Sequence, residues 1–84
     1  MIIWNEDKNE WLKKKREVSF EQVKSIIEND DVIDIMENPS HEDRLIYLVL
    51  INDYIHCVPF EFIGEEIFLF TIYPDRKLNK EYKK

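Results

Sequence analysis

Few residues in this chain carry chemistry of their own, and they are unevenly placed. Cations gather near both ends: Lys13-Lys14-Lys15-Arg16 early, and Arg76, Lys77, Lys80, Lys83 and Lys84 after the last apolar run. Arginine suits phosphate best, because its planar fork donates two parallel hydrogen bonds. Arg44 is the remaining arginine, at the start of an apolar run. His41 and His56 are the two histidines, and an unperturbed imidazole changes charge near neutrality, so they are the candidate proton carriers. The single cysteine, Cys57, excludes an internal disulfide and fits a reducing compartment. With no second cysteine to complete a zinc site, no metal and no other cofactor is expected, although carboxylates can still hold a hard cation.

The net charge of -6 argues against a nucleic-acid binder when taken alone. Its distribution matters more. Residues 28–43 contain seven acidic side chains and no Lys or Arg, whereas residues 76–84 contain five basic and one acidic. The chain is acidic in its middle and basic near both ends.

These groups must be positioned by the apolar segments. Residues 45–51, 54–62 and 67–73 are rich in β-branched and aromatic side chains and are separated by Asn52-Asp53 and by Ile63-Gly64-Glu65-Glu66. They read as three strands of an antiparallel meander. The first is apolar on both faces, as a strand covered on both sides should be. Pro59 lacks an N–H, so it should face an edge or a bulge. Upstream, Ile2-Ile3-Trp4 reads as a short strand. Asn5 caps a helix over residues 8–16, with Trp11 and Leu12 as its apolar contacts and the Lys cluster at its C-terminal end. Ser19 and Gln22 have capping-box spacing, and Val18 and Val23 have hydrophobic-staple spacing. They open a second helix whose stripe is Phe20, Val23, Ile26 and Ile27 and which ends near Asn29-Asp30. Residues 32–36 read as a strand, residues 37–43 as a loop, and residues 79–84 as a last helical turn or a frayed end.

The expected fold is therefore α+β: two N-terminal helices packed on an antiparallel sheet that ends in the three-stranded meander, as one domain over residues 1–84. No apolar run approaches the roughly 18 residues of a membrane span. Met1-Ile2-Ile3-Trp4 runs straight into charge, so it does not read as a signal peptide. A cytoplasmic protein with no membrane partner is expected.

Trp4-Asn5-Glu6-Asp7-Lys8-Asn9, then Leu12, then Arg16-Glu17-Val18-Ser19-Phe20-Glu21 resembles the opening of the BrnT family of toxins. Residues 72–82, with Arg76-Lys77, Lys80 and Tyr82, are similar to that family's C-terminal run, and His41-Glu42-Asp43-Arg44 to its central loop. Asn5 stands where the family usually has Asp, Glu17 where it has Gly, and Arg16 where it often has His. The resemblance implies a RelE-like fold and metal-free cleavage of mRNA on the ribosome, which inhibits translation. It also implies a cognate antitoxin, encoded nearby and often able to bind DNA. The residues specify no oligomeric state.

Metal-free RNA cleavage needs a base for the 2′-OH, cations for the phosphorane charge, and an acid for the leaving oxygen. On the resemblance, Arg76 is the first candidate for the cation; its plain reading is a solvated turn residue. Arg44 is the second, with a salt bridge to Glu42 or Asp43 as its plain reading. The meander puts these two arginines at opposite ends. His56 is the titrating candidate, or a satisfied histidine on an apolar face shared with Tyr54, Val58, Phe60 and Phe62. Lys77, Lys80 and Tyr82 are RNA-binding candidates, with Lys83, Lys84 and Tyr73 behind them. A solubilising tail explains the lysines equally. Cys57 reads as a small buried hydrophobe. The acidic stretch is either a solvated face or a site for a basic antitoxin segment. Two other functions stay open: a catalytically inactive family member that only binds its antitoxin, and an acidic protein that binds another protein through an exposed sheet edge.

Overall fold

The structure is a computed structural model and describes residues 1–82. The elements in chain order are β1 (Ile2–Trp4), α1 (Glu6–Lys15), α2 (Phe20–Glu28), β2 (Asp34–Glu37), β3 (Leu45–Ile51), β4 (Tyr54–Ile63), β5 (Glu66–Leu69), β6 (Tyr73–Pro74) and α3 (Arg76–Tyr82). The strands form one sheet in the order β1-β5-β4-β3-β2, with β6 also paired to β4.

The α+β class and the meander β3-β4-β5 follow the sequence pattern. The sheet is mixed, however, and not antiparallel throughout. β1 lies beside β5 and runs parallel to it, with Ile2 opposite Ile67 and Trp4 opposite Leu69. A parallel pair needs a long crossover connection, which α1, α2 and the meander supply together. The turn between β3 and β4 is short because Asn52 and Asp53 both take positive φ, 53° and 61°, as a two-residue hairpin of the right twist requires.

The last expected strand, over residues 67–73, is broken into β5 and β6, and Pro59 marks the break. Phe60 pairs with Leu69, but Cys57 pairs with Tyr73. Residues 70–72 thus oppose only Val58 and Pro59, which is a β-bulge. The Pro59 carbonyl accepts from the Phe70 N–H at 2.9 Å. A strand residue's carbonyl and N–H point to the same side, so the donor that Pro59 lacks falls on the bulged side.

The helix starts behave as their residues dictate. The Asn5 side chain accepts from the Lys8 N–H at 2.9 Å, so α1 begins at Glu6, two residues before the expected start. Ser19 and Gln22 form the reciprocal capping box of α2. At the end of α2, Asp30 takes φ 58° while the Asp31 N–H reaches the Ile26 carbonyl and the Asp30 N–H the Ile27 carbonyl. This Schellman closure delays β2 until Asp34, so residues 32 and 33 are outside the strand.

Two apolar clusters lie on opposite faces of the sheet. Leu12, Phe20 and Val23 from the first two helices, with Val18 from their connection, cover Tyr47, Val49, Val58 and Phe60. On the other face Ile46, Leu48, Ile55 and Cys57 are covered by Met36, Tyr73 and Leu78 of α3. β3 and β4 are therefore central, and the staple residues Val18 and Val23 are both buried. Trp11 departs from its expected role as a core contact: it remains 40% exposed, and only Leu12 of that pair enters the core.

Asn9 joins the two N-terminal helices. It is fully buried; its Oδ1 accepts from the Phe20 N–H at 2.8 Å and its Nδ2 donates to Glu21 Oε1 at 2.8 Å. One side chain thus satisfies an orphan donor at the start of α2 and fixes α1 against it. Asn9→Ala leaves that buried N–H without a partner and should cost about 1–3 kcal/mol in urea unfolding.

Glu17, just past the Arg16 cap of α1, has φ 56°. The left-handed region costs an L-residue roughly 1–2 kcal/mol and glycine almost nothing. Glu17→Gly should therefore raise stability by about 1 kcal/mol in the same measurement.

Candidate active site

The cationic groups converge on β6, from both faces of the sheet. On the α3 side, the chain leaves β6 through Asp75, which fastens the helix in three ways. Its backbone N–H donates to the Ile55 carbonyl at 3.0 Å, its Oδ1 accepts from the Leu78 N–H at 2.9 Å, and its carbonyl accepts from the Asn79 N–H. Asn79 Oδ1 then accepts from the Ile55 N–H at 3.0 Å. With Leu78 on the sheet and Asn79 bonded to β4, the helical period turns Arg76, Lys77 and Lys80 toward solvent, and all three are exposed. Tyr82 is exposed too, but its hydroxyl donates to Asp34 Oδ2 at 3.4 Å, which ties the helix to β2. Lys83 and Lys84 lie outside the described residues.

On the other face is a group that the residue types did not single out. Arg16 caps α1, and its Nη1 donates to the Ile72 carbonyl in the bulge at 2.6 Å. Its guanidinium lies 5.0 Å from the centre of the Trp11 ring, and Lys8 Nζ lies 4.2 Å from the same ring. Trp11 is thus a platform for two cations, which explains its exposure. As part of a Lys-rich helix end, Arg16 had a sufficient explanation in the helix dipole. The clue was its position, where the resembled family often carries a histidine.

His56 stands beside Arg16. It pairs with Pro74 of β6 and is 6% exposed, on the face opposite Ile55 and Cys57. Its Nδ1 lies 2.8 Å from the Tyr54 carbonyl. A carbonyl can only accept, so Nδ1 carries the proton and Nε2 is left with its lone pair. No described residue bonds Nε2. Burial holds the imidazole below its ordinary pKa; the Tyr54 carbonyl opposes this and the Arg16 charge adds to it. The arrangement offers an oriented, neutral imidazole next to a fixed guanidinium, which can accept a proton near an anion.

Arg44 is not part of this group. Asp75 is bonded to Ile55, whereas Arg44 precedes Leu45, the partner of Phe60. From Ile55 to Phe60 along β4 is about 17 Å at ~3.4 Å per residue. The expected separation of the two arginines therefore holds. The expected salt bridge does not: the Arg44 guanidinium stacks 3.8 Å from the centre of the Phe70 ring, and no described carboxylate pairs with it. His41 is exposed in the loop before Arg44. Cys57 is buried, and burial with the nearby Asp75 pushes its thiol up to about 11, so it is not a nucleophile at neutral pH. Among the described residues, no group of three or more His, Cys, Asp or Glu is placed to hold a metal ion. No helix among them is long and apolar enough to cross a membrane.

Exposed cations thus flank β6 on both faces of the sheet, with His56 on the face of Arg16. Residues 4–80 match the family of the ribonuclease toxin BrnT of type II toxin–antitoxin systems, and the chain belongs to that family. Membership implies a cognate antitoxin as partner. Comparison with curated proteins and with solved structures gave no match.

The lowered pKa of His56 has a consequence for stability. Between the ordinary histidine value of 6.5 and the lower folded value, the unfolded chain binds the proton and the folded chain does not. This contribution to stability is complete above pH 6.5 and is lost as the pH falls through that window. Urea unfolding from pH 7.5 to 4.5 (round values spanning the window) should show that decline, and His56→Gln should flatten it.

Proposed function

We propose that this chain is a metal-independent endoribonuclease on a RelE-like scaffold, cleaving mRNA on the ribosome and so inhibiting translation. The observation that carries the proposal is that His56, opposite Pro74 of β6, feels the charge of Arg16, which is held on the Ile72 carbonyl just before the strand that leads to Arg76. Neutral His56 takes the 2′-OH proton through Nε2. The freed oxygen attacks the adjacent phosphorus, and Arg16 and Arg76 balance the charge that gathers there. The 5′-oxygen leaves with a proton drawn from solvent. Because the nucleophile belongs to the RNA, no metal is needed to generate it. Lys77 and Lys80 follow the backbone, and Tyr82 offers a ring to a base. Arg44, at the far end of the sheet, is assigned no part in the chemistry.

The test is cleavage of a translated mRNA by the purified chain, with cleavage of free mRNA in EDTA reading its independence from metal. Arg76→Ala and Arg16→Ala should each slow cleavage about a hundredfold, the scale of losing one charge-stabilising donor. Arg44→Ala should leave it unchanged. Equal loss with Arg44→Ala would move the site to the other end of the sheet. Intact RNA with every variant and with the wild type would leave the antitoxin-binding, non-catalytic reading in its place.

A further inference from the structure

The free edge of β2 is a surface that the proposed cleavage does not use. Among the described residues, β2 pairs only with β3, and its other side carries no strand. An unpaired edge is a template for an added strand unless it is blunted by shortness, charge, proline or a bulge. Residues 34–37, Asp-Ile-Met-Glu, are blunted by length and by two acids, and a basic strand would neutralise the acids. The Ile35 N–H is held instead by Asp34 Oδ1 at 2.8 Å, a local stand-in for a neighbouring carbonyl.

Apolar surface is exposed at the same edge. Of the eight exposed large hydrophobics among the described residues, Ile33 at 39% and Ile35 at 53% lie there, and Ile35 is on the face of its partner Tyr47. Ile33 stands just before the strand, where its N–H bonds the carbonyl of Leu48, the partner of Asp34. Around this apolar strip stand Glu28, Asp30, Asp31, Asp34, Glu37, Glu42 and Asp43, all exposed and none in an ion pair among the described residues.

We propose that this edge is the docking site of the antitoxin: an extended segment of the partner, alternating Lys or Arg with apolar residues, adds a strand beside β2. The proposal rests on the reading of this chain as the toxin of its pair. Main-chain bonds to β2 supply affinity, and the alternating side chains supply specificity. The apolar side chains cover Ile33 and Ile35, and the cations meet the carboxylates. A partner carbonyl takes over the Ile35 N–H and frees Asp34 to pair with a cation. An RNA strand is repelled by the same carboxylates. A second copy of the chain would set one acidic edge against another, which like charge opposes. The exposed pair Phe62 and Ile63 lies on the β4–β5 hairpin tip among Glu61, Glu65 and Glu66, away from any free edge long enough to extend.

The test uses the full chain and the full antitoxin encoded beside it. Amide hydrogen exchange should show new protection of Asp34–Glu37 in the complex. Ile35→Lys should weaken the complex at least tenfold, with an unchanged melting temperature for the free chain. The double variant Asp30→Lys/Asp31→Lys, changed only at exposed positions, should weaken it as well, and the wild-type affinity should fall as salt is raised. RNA cleavage by Ile35→Lys without antitoxin should equal that of the wild type, so binding is read independently of the nuclease. Wild-type affinity in both variants overturns the proposal, as does protection confined to β6 and α3. So does β2 protection in the free chain through self-association, or an antitoxin that does not bind. Loss of cleavage alone touches only the nuclease reading.

Discussion

The missing N–H of Pro59 is the constraint on which the site depends. A central strand would normally exchange bonds with its neighbour along its whole length. At Pro59 one donor is absent, and the neighbouring chain answers with an extra residue. That one residue ends β5 and turns the Ile72 carbonyl to Arg16. It also brings Tyr73 and Pro74 back onto β4, so that Asp75 can cap α3 against Ile55. Both groups of cations therefore take their positions from the same bulge: Arg16 from one face, Arg76, Lys77 and Lys80 from the other.

A chain with net charge -6 can present a site for a polyanion only if its charges are separated. The sheet does this by strand order. β6 and β2 are on opposite sides of the β4-β3 pair, three strand spacings apart, or about 14 Å. That exceeds the screening length of about 8 Å at physiological salt. Along the sheet the two charge groups are thus apart, and only the end of α3, where Tyr82 meets Asp34, brings them together.

What could be read from the sequence was local. Asn5, Ser19 with Gln22, and the break at Asn52-Asp53 act within a few residues, and each works as its chemistry requires. Pro59 announced an edge or a bulge, though not that the last strand would split there. What escaped was long-range. The parallel pairing of β1 with β5 joins residues more than sixty positions apart, and no periodicity within either segment encodes it. Arg16 reaches a carbonyl 56 residues away, and Arg44 meets Phe70, so neither could be assigned from its sequence neighbours. Asn9 was visible only as one member of a Lys-Asn pair; the fold makes it the buried link between α1 and α2.

Amide chemical shifts of the chain, followed while a 2′-O-methyl RNA that cannot be cleaved is added, read the location of the RNA site without depending on turnover. Shifts concentrated at Arg16, His56 and residues 72–80 are the expected result. Shifts concentrated at Arg44 and Phe70, or along Asp34–Glu37, would contradict a site built on the bulge beside Pro59.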